Sequence, residues 1–222
     1  MKASAIITRC QDILQDTTKI RWPEPELLRY LNDAQREVAK DRPDSTAANT
    51  SMTLSAGTKQ QIPALGLKLI DIPRNMGANG TTPGRAIRII DREALDAQRP
   101  DWHTEAAESA IKHFMHDARD PLRFYVYPPA SSNPVMQVEV VYSTAPAEIS
   151  ALTDDLGVPI TYANALIDFT LYRAYSKDAE YTANINRAAG HYNAYLQALG
   201  LKGQVDQVMA PNRNAPPREG VK

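Results

Sequence analysis

The sequences ALIDFTLYRAYSKDAEY, residues 165–181, and AAGHYNAYLQALG, residues 188–200, decide the fold of this chain. Around and within them, apolar residues recur at intervals of three and four, the spacing of one face of a helix. The first apolar face comprises Ile160, Ala163, Ile167, Thr170, Leu171 and Ala174. The second comprises Tyr181, Ile185, Ala188, Tyr192, Tyr195, Leu196 and Leu199. We therefore predict two consecutive helices, the second ending at Gly200 and Gly203, because glycine favours the conformation that terminates helices.

A second helix pair is predicted at the N-terminus. Its apolar faces comprise Ile6, Ile7, Cys10, Ile13, Leu14 and Thr17, and then Leu27, Leu28, Leu31, Ala34 and Val38. The sequence WPEPE, residues 22–26, breaks and restarts the chain, because proline suits the first turn of a helix. Pro43 ends the second helix, since a residue before proline avoids the helical region. The result is a helical hairpin whose apolar faces need a partner.

The residue pattern between positions 46 and 147 differs from that of the predicted helices. Prolines and glycines there separate short apolar runs at residues 51–54, 68–72, 86–90, 124–127 and 135–142. No helix of crossover length is expected between successive runs, so we predict antiparallel strands. One short helix, residues 92–98, interrupts them. The polar, glycine-rich segment 75–84 is predicted to be a flexible loop that projects from the sheet.

These patterns predict an α+β fold, in which N- and C-terminal helices form a bundle with an inserted antiparallel β-rich domain and an extended C-terminal arm. The predicted parts are residues 1–45 (helical hairpin), 46–150 (insertion), 151–202 (helix pair completing the bundle) and 203–222 (arm). The arm has only Val205, Val208 and Met209 as apolar anchors, so it cannot bury enough surface to fold alone.

Composition argues against several classes of function. The chain has 25 Lys and Arg against 26 Asp and Glu, a net charge of −1, whereas proteins that grip nucleic acid usually carry a basic excess. A local basic patch stays possible. No run approaches a membrane span, and Arg9 and Asp12 interrupt the N-terminal apolar stretch, so we expect no signal peptide and no membrane insertion. The single cysteine, Cys10, is predicted to be a buried structural thiol.

Candidate chemical sites each have a simpler structural explanation. His113 and His116, followed by Asp117, have a spacing that suits a metal on a helix, but in a strand residues three apart point to opposite faces. Asp154 and Asp155 precede a predicted helix, where carboxylates serve as caps. Glycine-rich phosphate loops and nucleophile elbows are absent from the sequence. We predict no catalytic residue, no metal site and no cofactor.

Tyrosine is the most common aromatic residue, with ten copies against three Phe and two Trp. Several lie in the last two predicted helices. They either line the seam between the helices or form a subunit interface, where tyrosine supplies contact area and a polar tip. The number of tyrosines favours the interface slightly, and the candidates are Tyr172, Tyr175, Tyr192 and Tyr195.

The two stretches quoted at the outset resemble the terminal helix pair of phage head-to-tail adaptor (connector) proteins, related to the tail tubular protein A family of short-tailed phages. The sequence DARDPLRFYVYPP, residues 117–129, is similar to a strand of these adaptors, and the opening helices also fit. The resemblance covers nearly the whole chain and is weakest at residues 75–84. It implies a helical bundle with an inserted β-rich part, in a virion structural protein rather than an enzyme.

The resemblance also implies partners. Such adaptors form a ring, typically of twelve copies, which sits beneath the portal protein in the virion neck, meets the tail nozzle or next tail component, and leaves a channel for DNA. Assembly in the host cytoplasm is expected, without a membrane. The arm is predicted to bind the portal through Val205, Val208, Met209, Pro211, Pro216 and Pro217.

Two other functions stay open at this point. One is a small DNA-packaging or DNA-binding factor with a helical core. The other is a metal-assisted hydrolase that uses His113, His116 and Asp117, which would bind about one equivalent of a transition metal.

Overall fold

The computed structural model describes residues 1–16, 18–177 and 181–209, with side chains described as far as residue 200. The chain forms two compact units, Met1–Arg42 with Pro146–Lys222, and Pro43–Ala145. We call them the helical unit and the β unit. In the described part of the chain, no helix combines the length and the apolar character that crossing a membrane requires.

The described residues form α-helices and two β-sheets. The helices are α1 (Ala3–Leu14), α2 (Glu24–Asp41), α3 (Arg92–Gln98), α4 (Ala163–Ser176) and α5 (Thr182–Met209). The strands are β1 (Ala47–Thr53), β2 (Gly57–Gln61), β3 (Gly66–Met76), β4 (Pro83–Ala86), β5 (Arg88–Ile89), β6 (His113–His116), β7 (Arg123–Ala130) and β8 (Gln137–Thr144). The mixed α+β class predicted from the sequence is confirmed.

The four helices of the helical unit pack around one apolar core. Helix α2 begins after Pro23 and has Glu24 and Glu26 in its first turn, where carboxylates complement the helix dipole. Each fully buried aliphatic side chain contributes about 1.5–3 kcal/mol. The core draws on all four helices and includes Ile6, Ile7, Cys10, Leu27, Leu31, Val38, Leu166, Leu171 and Tyr195.

Helix α5 runs through both glycines that were predicted to end it. The predicted stop is wrong because a glycine inside a helix costs only about 1 kcal/mol relative to alanine, and positive φ angles occur at Gly57 and Gly80, not at Gly200 or Gly203. The backbone of Val205, Val208 and Met209 is part of α5, and the arm predicted at residues 203–222 stays a prediction. Pro211, Pro216 and Pro217 lie outside the described residues.

The β unit contains two four-stranded sheets, with strand orders β1-β8-β3-β4 and β2-β7-β6-β5. The prediction of antiparallel pairing is wrong for one pair, since β5 pairs with β6 in parallel through Arg88 and Ile89. A parallel pair needs a crossover of a dozen or more residues, and the segment 90–112, which contains α3, supplies it. The short helix predicted at residues 92–98 is confirmed.

The segment 75–84 is a turn held against the sheet, not a projecting loop. Strand β3 continues to Met76 and β4 begins at Pro83. The Asn79 side chain accepts hydrogen bonds from the backbone N–H of Thr81 and Thr82 at 3.0 and 3.2 Å. The Ser51 hydroxyl of β1 donates to the Gly80 carbonyl. These contacts hold the segment in place, although its composition by itself is typical of a free loop.

Candidate assembly surfaces

The tyrosines of the last two helices divide into buried and exposed members. Tyr195 is 1% exposed, packs edge-on against Phe169 at 5.2 Å, and donates its hydroxyl to Asp41 at 2.7 Å. Burial and that carboxylate raise the pKa of Tyr195. Tyr175 is also buried, stacked against His191 at 5.7 Å. Within the helical unit, both side chains therefore serve the packing of α4 against α5.

The other two candidate tyrosines stay accessible. Tyr192 is 40% exposed, and Tyr172 is half-buried, with 5.0 Å between their ring centroids. The hypothesis of a subunit interface is therefore best carried by Tyr172 and Tyr192. Tyr175 and Tyr195 thus belong to the seam between the helices, and the subunit interface stays a prediction for Tyr172 and Tyr192.

Helix α5 presents a second apolar row beside the row that enters the core. The core row comprises Ala188, Tyr195 and Leu199. The exposed row begins at Tyr181, just before the helix, and continues with Ile185, Ala189, Tyr192 and Leu196. We call the exposed row the α5 stripe. Its large members are 40–67% exposed.

Charge is scarce on this part of α5. Between residues 182 and 200, Arg187 is the only Lys, Arg, Asp or Glu in the sequence. A helix face that stays in water normally carries several charges. The sequence pattern had combined the core row and the stripe into one face, because periodicity does not show how much of a broad apolar face the neighbouring helices cover.

A groove between α1 and α4 lies on the same unit. Its volume is about 500 Å³, and it is lined by Arg9, Asp12, Ile13, Asn164, Ile167 and Asp168. We call it the α1–α4 groove. Ile13 is 46% exposed, and the Asp168 carboxylate lies 3.0 Å from the His191 ring of α5. The sequence had assigned Ile13 to the core face of α1, and nothing in the pattern indicated that this residue borders an opening.

Cys10 lies in the core near this groove, fully buried. Burial, with a smaller contribution from the Asp168 charge, raises the pKa of the thiol to about 12. Since the thiolate is the reactive form, Cys10 is an inert packing residue at neutral pH. Its predicted burial is confirmed.

Strand β1 forms one edge of its sheet. It pairs with β8 through seven consecutive residues without a register shift. The sequence AANTSMT, residues 47–53, contains no charge and no proline. Such residues, or a bulge, normally protect an edge strand against pairing with another chain. Among the described strands β1 has one neighbour, so no strand pairs with its other edge in the part of the chain that the structure describes.

The two histidines of the H-x-x-H pattern make different contacts in the structure. His113 and His116 occupy the two ends of β6, where residues three apart face opposite sides. His113 stacks on Tyr127, and the ring of His116 lies 3.1 Å from the Arg123 carbonyl. Asp117 accepts the backbone N–H of Arg119. In the part of the chain that the structure describes, no cluster of three His, Cys, Asp or Glu side chains is arranged to hold a metal.

Asp154 and Asp155 do not cap a helix, which corrects the sequence prediction. The Asp154 carboxylate accepts the backbone N–H groups of Ser150 and Ala151, both at 2.9 Å, and so closes the turn that contains it. Asp155 pairs with Lys2 at 2.7 Å. The reason is distance along the chain, because the next helical residues begin only at Ile160, beyond the reach of either side chain.

Comparison with known proteins identifies the family. The family model described as SU10 adaptor protein matches residues 1–215, nearly the whole chain. No curated protein matches the chain significantly. The family consists of phage adaptor proteins with a structural, non-enzymatic role, which confirms the resemblance at that level. This chain belongs to the SU10 adaptor protein family.

Proposed function

We propose that this protein is a ring-forming head-to-tail adaptor that docks beneath the portal protein and connects it to the tail, while leaving a channel for DNA. Family membership supports the structural adaptor role. The observation that carries the ring is the α5 stripe, an exposed and uncharged apolar row beside a complete core. Rows of this kind mark surfaces that another protein covers.

The two units suggest a division of partners. The helical unit, with the C-terminal segment that follows α5, contacts the portal. The β unit meets the tail nozzle or the next tail component, and the open edge of β1 suits an extended segment of that partner, since an edge strand offers unpaired backbone groups. By analogy with tail tubular protein A, the ring has twelve copies, is assembled in the host cytoplasm and resides in the virion neck.

The charge of the chain fits a conduit. With 25 basic and 26 acidic residues, the protein carries no excess of Lys and Arg that would bind the phosphate backbone. A strongly basic channel would hold DNA through counterion release and slow its passage. The near-neutral balance therefore supports a channel wall that does not retain DNA.

The deciding experiment mixes purified protein with the cognate portal and measures the mass and stoichiometry of the product, with electron microscopy of the same sample. We expect a ring on the portal with a copy number that matches the portal's rotational symmetry. A portal that stays bare at high protein concentration would contradict the proposal. A salt-dependent mobility shift with DNA in the absence of portal would favour the DNA-binding alternative instead.

A further inference from the structure

We propose that neighbouring copies in the ring contact each other through two different surfaces, with the α5 stripe of one copy seated in the α1–α4 groove of the next. This inference rests on the ring proposed above and adds the two surfaces that form the subunit contact. A second copy of this chain is thus the occupant of the groove.

The α1–α4 groove and the α5 stripe lie on different sides of helix α5, since the groove borders one side of that helix and the stripe forms another. Arg187 and His191, one helical turn apart, both contact the Tyr175 ring, and His191 also meets Asp168 of the groove. At 3.6 residues per turn, this flank lies roughly 140° around the helix from the centre of the α5 stripe. On the stripe side, Tyr192 contacts Tyr172 and lies near Lys40 of α2.

This arrangement is what a closed ring requires. Each copy in a ring contacts its two neighbours through two different patches, so a chain needs both a protruding and a receiving surface on separate flanks. The helical unit has one of each. Two stripes packed against each other would form a two-fold dimer, which leaves the groove empty and cannot extend into a ring.

The two surfaces share an apolar component. Ile13 is the exposed apolar residue of the groove, beside the buried Ile167, and the stripe offers Ile185, Tyr192 and Leu196 without a formal charge. The groove also carries one base, Arg9, and two acids, Asp12 and Asp168, the second of which lies against His191.

The stripe also has an acid and a base beside it, on α2. Glu37 and Lys40 form an ion pair of 2.6 Å on exposed helix surface, and Lys40 lies near Tyr192. An acid and a base on each side allow opposite charges to meet at the border of the contact, which sets the register of an interface more than its affinity.

Site-directed cross-linking on the full chain tests this contact. Ile13→Cys and Leu196→Cys are prepared separately and together, and each protein is assembled on the portal and treated with a short bis-maleimide. We expect a cross-linked dimer when the two single variants are mixed, and a ladder of multimers from the double variant. Each single variant alone should give no cross-link. Wild-type protein should stay unmodified, because Cys10 is fully buried.

Gln197→Cys is the matched control, because Gln197 is exposed and adjacent to Leu196 but lies outside the stripe. It should not cross-link to Ile13→Cys. Three results would overturn the inference while leaving the ring intact: cross-linking of Leu196→Cys to itself, cross-linking of Leu196→Cys to the portal, or a ring without a cross-link between the two variants. If wild-type protein forms no ring, the proposed function fails, and this inference fails with it.

Discussion

At the residue scale, two buried asparagines act as substitutes for a neighbouring strand. Asn32 of α2 accepts the backbone N–H of Ile149 and donates to its carbonyl, both at 2.8 Å. In the β unit, Asn75 bonds both backbone groups of Ile111, at 2.8 and 2.7 Å. Each side-chain amide pairs with the backbone of a residue that lies outside any helix or strand. The pairing satisfies buried polar groups that would otherwise destabilise the fold. Neither residue stands out in the sequence.

We predict that Asn32→Leu lowers the free energy of unfolding by about 2–4 kcal/mol, because it leaves two buried backbone groups of Ile149 without a partner. Urea denaturation followed by circular dichroism measures the change. Asn193→Leu, at an exposed position of α5, is the control and should alter stability little. Equal stability of Asn32→Leu and wild type would show that water replaces the amide.

Asp16 gives the link between α1 and α2 a pH dependence. Its carboxylate accepts the backbone N–H groups of Trp22, Arg21 and Ile20 at 2.8, 2.9 and 3.3 Å. The bond from Trp22 is the main cause that lowers the pKa of Asp16. A lowered pKa in the folded state means that the carboxylate stabilises the protein above its unfolded-chain pKa and loses this effect as pH falls through the folded value.

We therefore predict that Asp16→Ala melts at a lower temperature than wild type near pH 7, and that the difference shrinks as the pH is lowered to about 2. Thermal denaturation of both proteins across this range measures the effect. A difference in melting temperature that stays constant with pH would show that the ionised carboxylate is not what holds the link.

At the element scale, α4 is the central helix of its unit and α5 is a helix with two kinds of apolar row. Helix α4 buries residues around most of its circumference, among them Leu166, Phe169 and Leu171. The indole of Trp22 donates to the Ala174 carbonyl of the same helix at 3.0 Å, which attaches the start of α2. Helix α5 contacts the core through one row of side chains, and its other apolar row, the α5 stripe, stays exposed.

Two leucines of α5 separate folding from assembly. Leu199 is 7% exposed and Leu196 is 46% exposed. We predict that Leu196→Asp keeps the stability of wild type within about 0.5 kcal/mol but prevents ring formation on the portal. Leu199→Asp should unfold the helical unit, because it buries an unpaired charge. Circular dichroism and the portal assembly assay read the two properties. Normal rings from a folded Leu196→Asp protein would exclude the α5 stripe from the subunit contact.

The segment after α5 gives another prediction. Residues 210–222 contain one large apolar residue, Val221, so this segment can bury little apolar surface. Deletion of residues 210–222 should therefore leave the melting temperature of the monomer unchanged and abolish portal binding. Pull-down with immobilised portal measures the binding. Unchanged binding by the truncated chain would contradict the role proposed for this segment.

At the scale of the whole molecule, the helical unit and the β unit each have apolar cores of their own. The core of the helical unit draws on residues from Ala3 to Val38 and from Ile149 to Leu199. The two clusters of the β unit lie entirely between Leu54 and Tyr142. The unit formed by the ends of the chain is thus interrupted by a unit with cores of its own, an arrangement that permits independent folding.

We predict that the fragment 43–145 folds by itself, because all the residues of its two apolar clusters lie within it. A cooperative thermal transition and dispersed amide resonances would confirm this. The fragment with Val138→Asp, a charge in the centre of the larger cluster, is the control and should be unfolded. A wild-type fragment without a cooperative transition would show that the β unit depends on the rest of the chain.

Much of the architecture follows from local patterns in the sequence. The helical periodicities, Pro23 and Pro25 at the start of α2, and the alternation in β8 are recorded in consecutive residues, and the structure confirms the elements that they predict. The end of α5 and the parallel pairing of β5 with β6 were missed. Both depend on small energy differences or on residues far apart in the chain, to which a local pattern is insensitive.

By itself, the sequence determined the class of the fold, the helix pairs at both ends of the chain and the inserted β-rich segment, because side-chain periodicity and proline act within a few residues. Only the tertiary structure decided which apolar residues are covered. It placed Tyr195 in the core and Leu196, the next residue, at the surface. Periodicity shows that a helix face is apolar, whereas the width of the neighbouring helices determines how much of that face is buried, and the uncovered remainder is the surface from which we infer assembly.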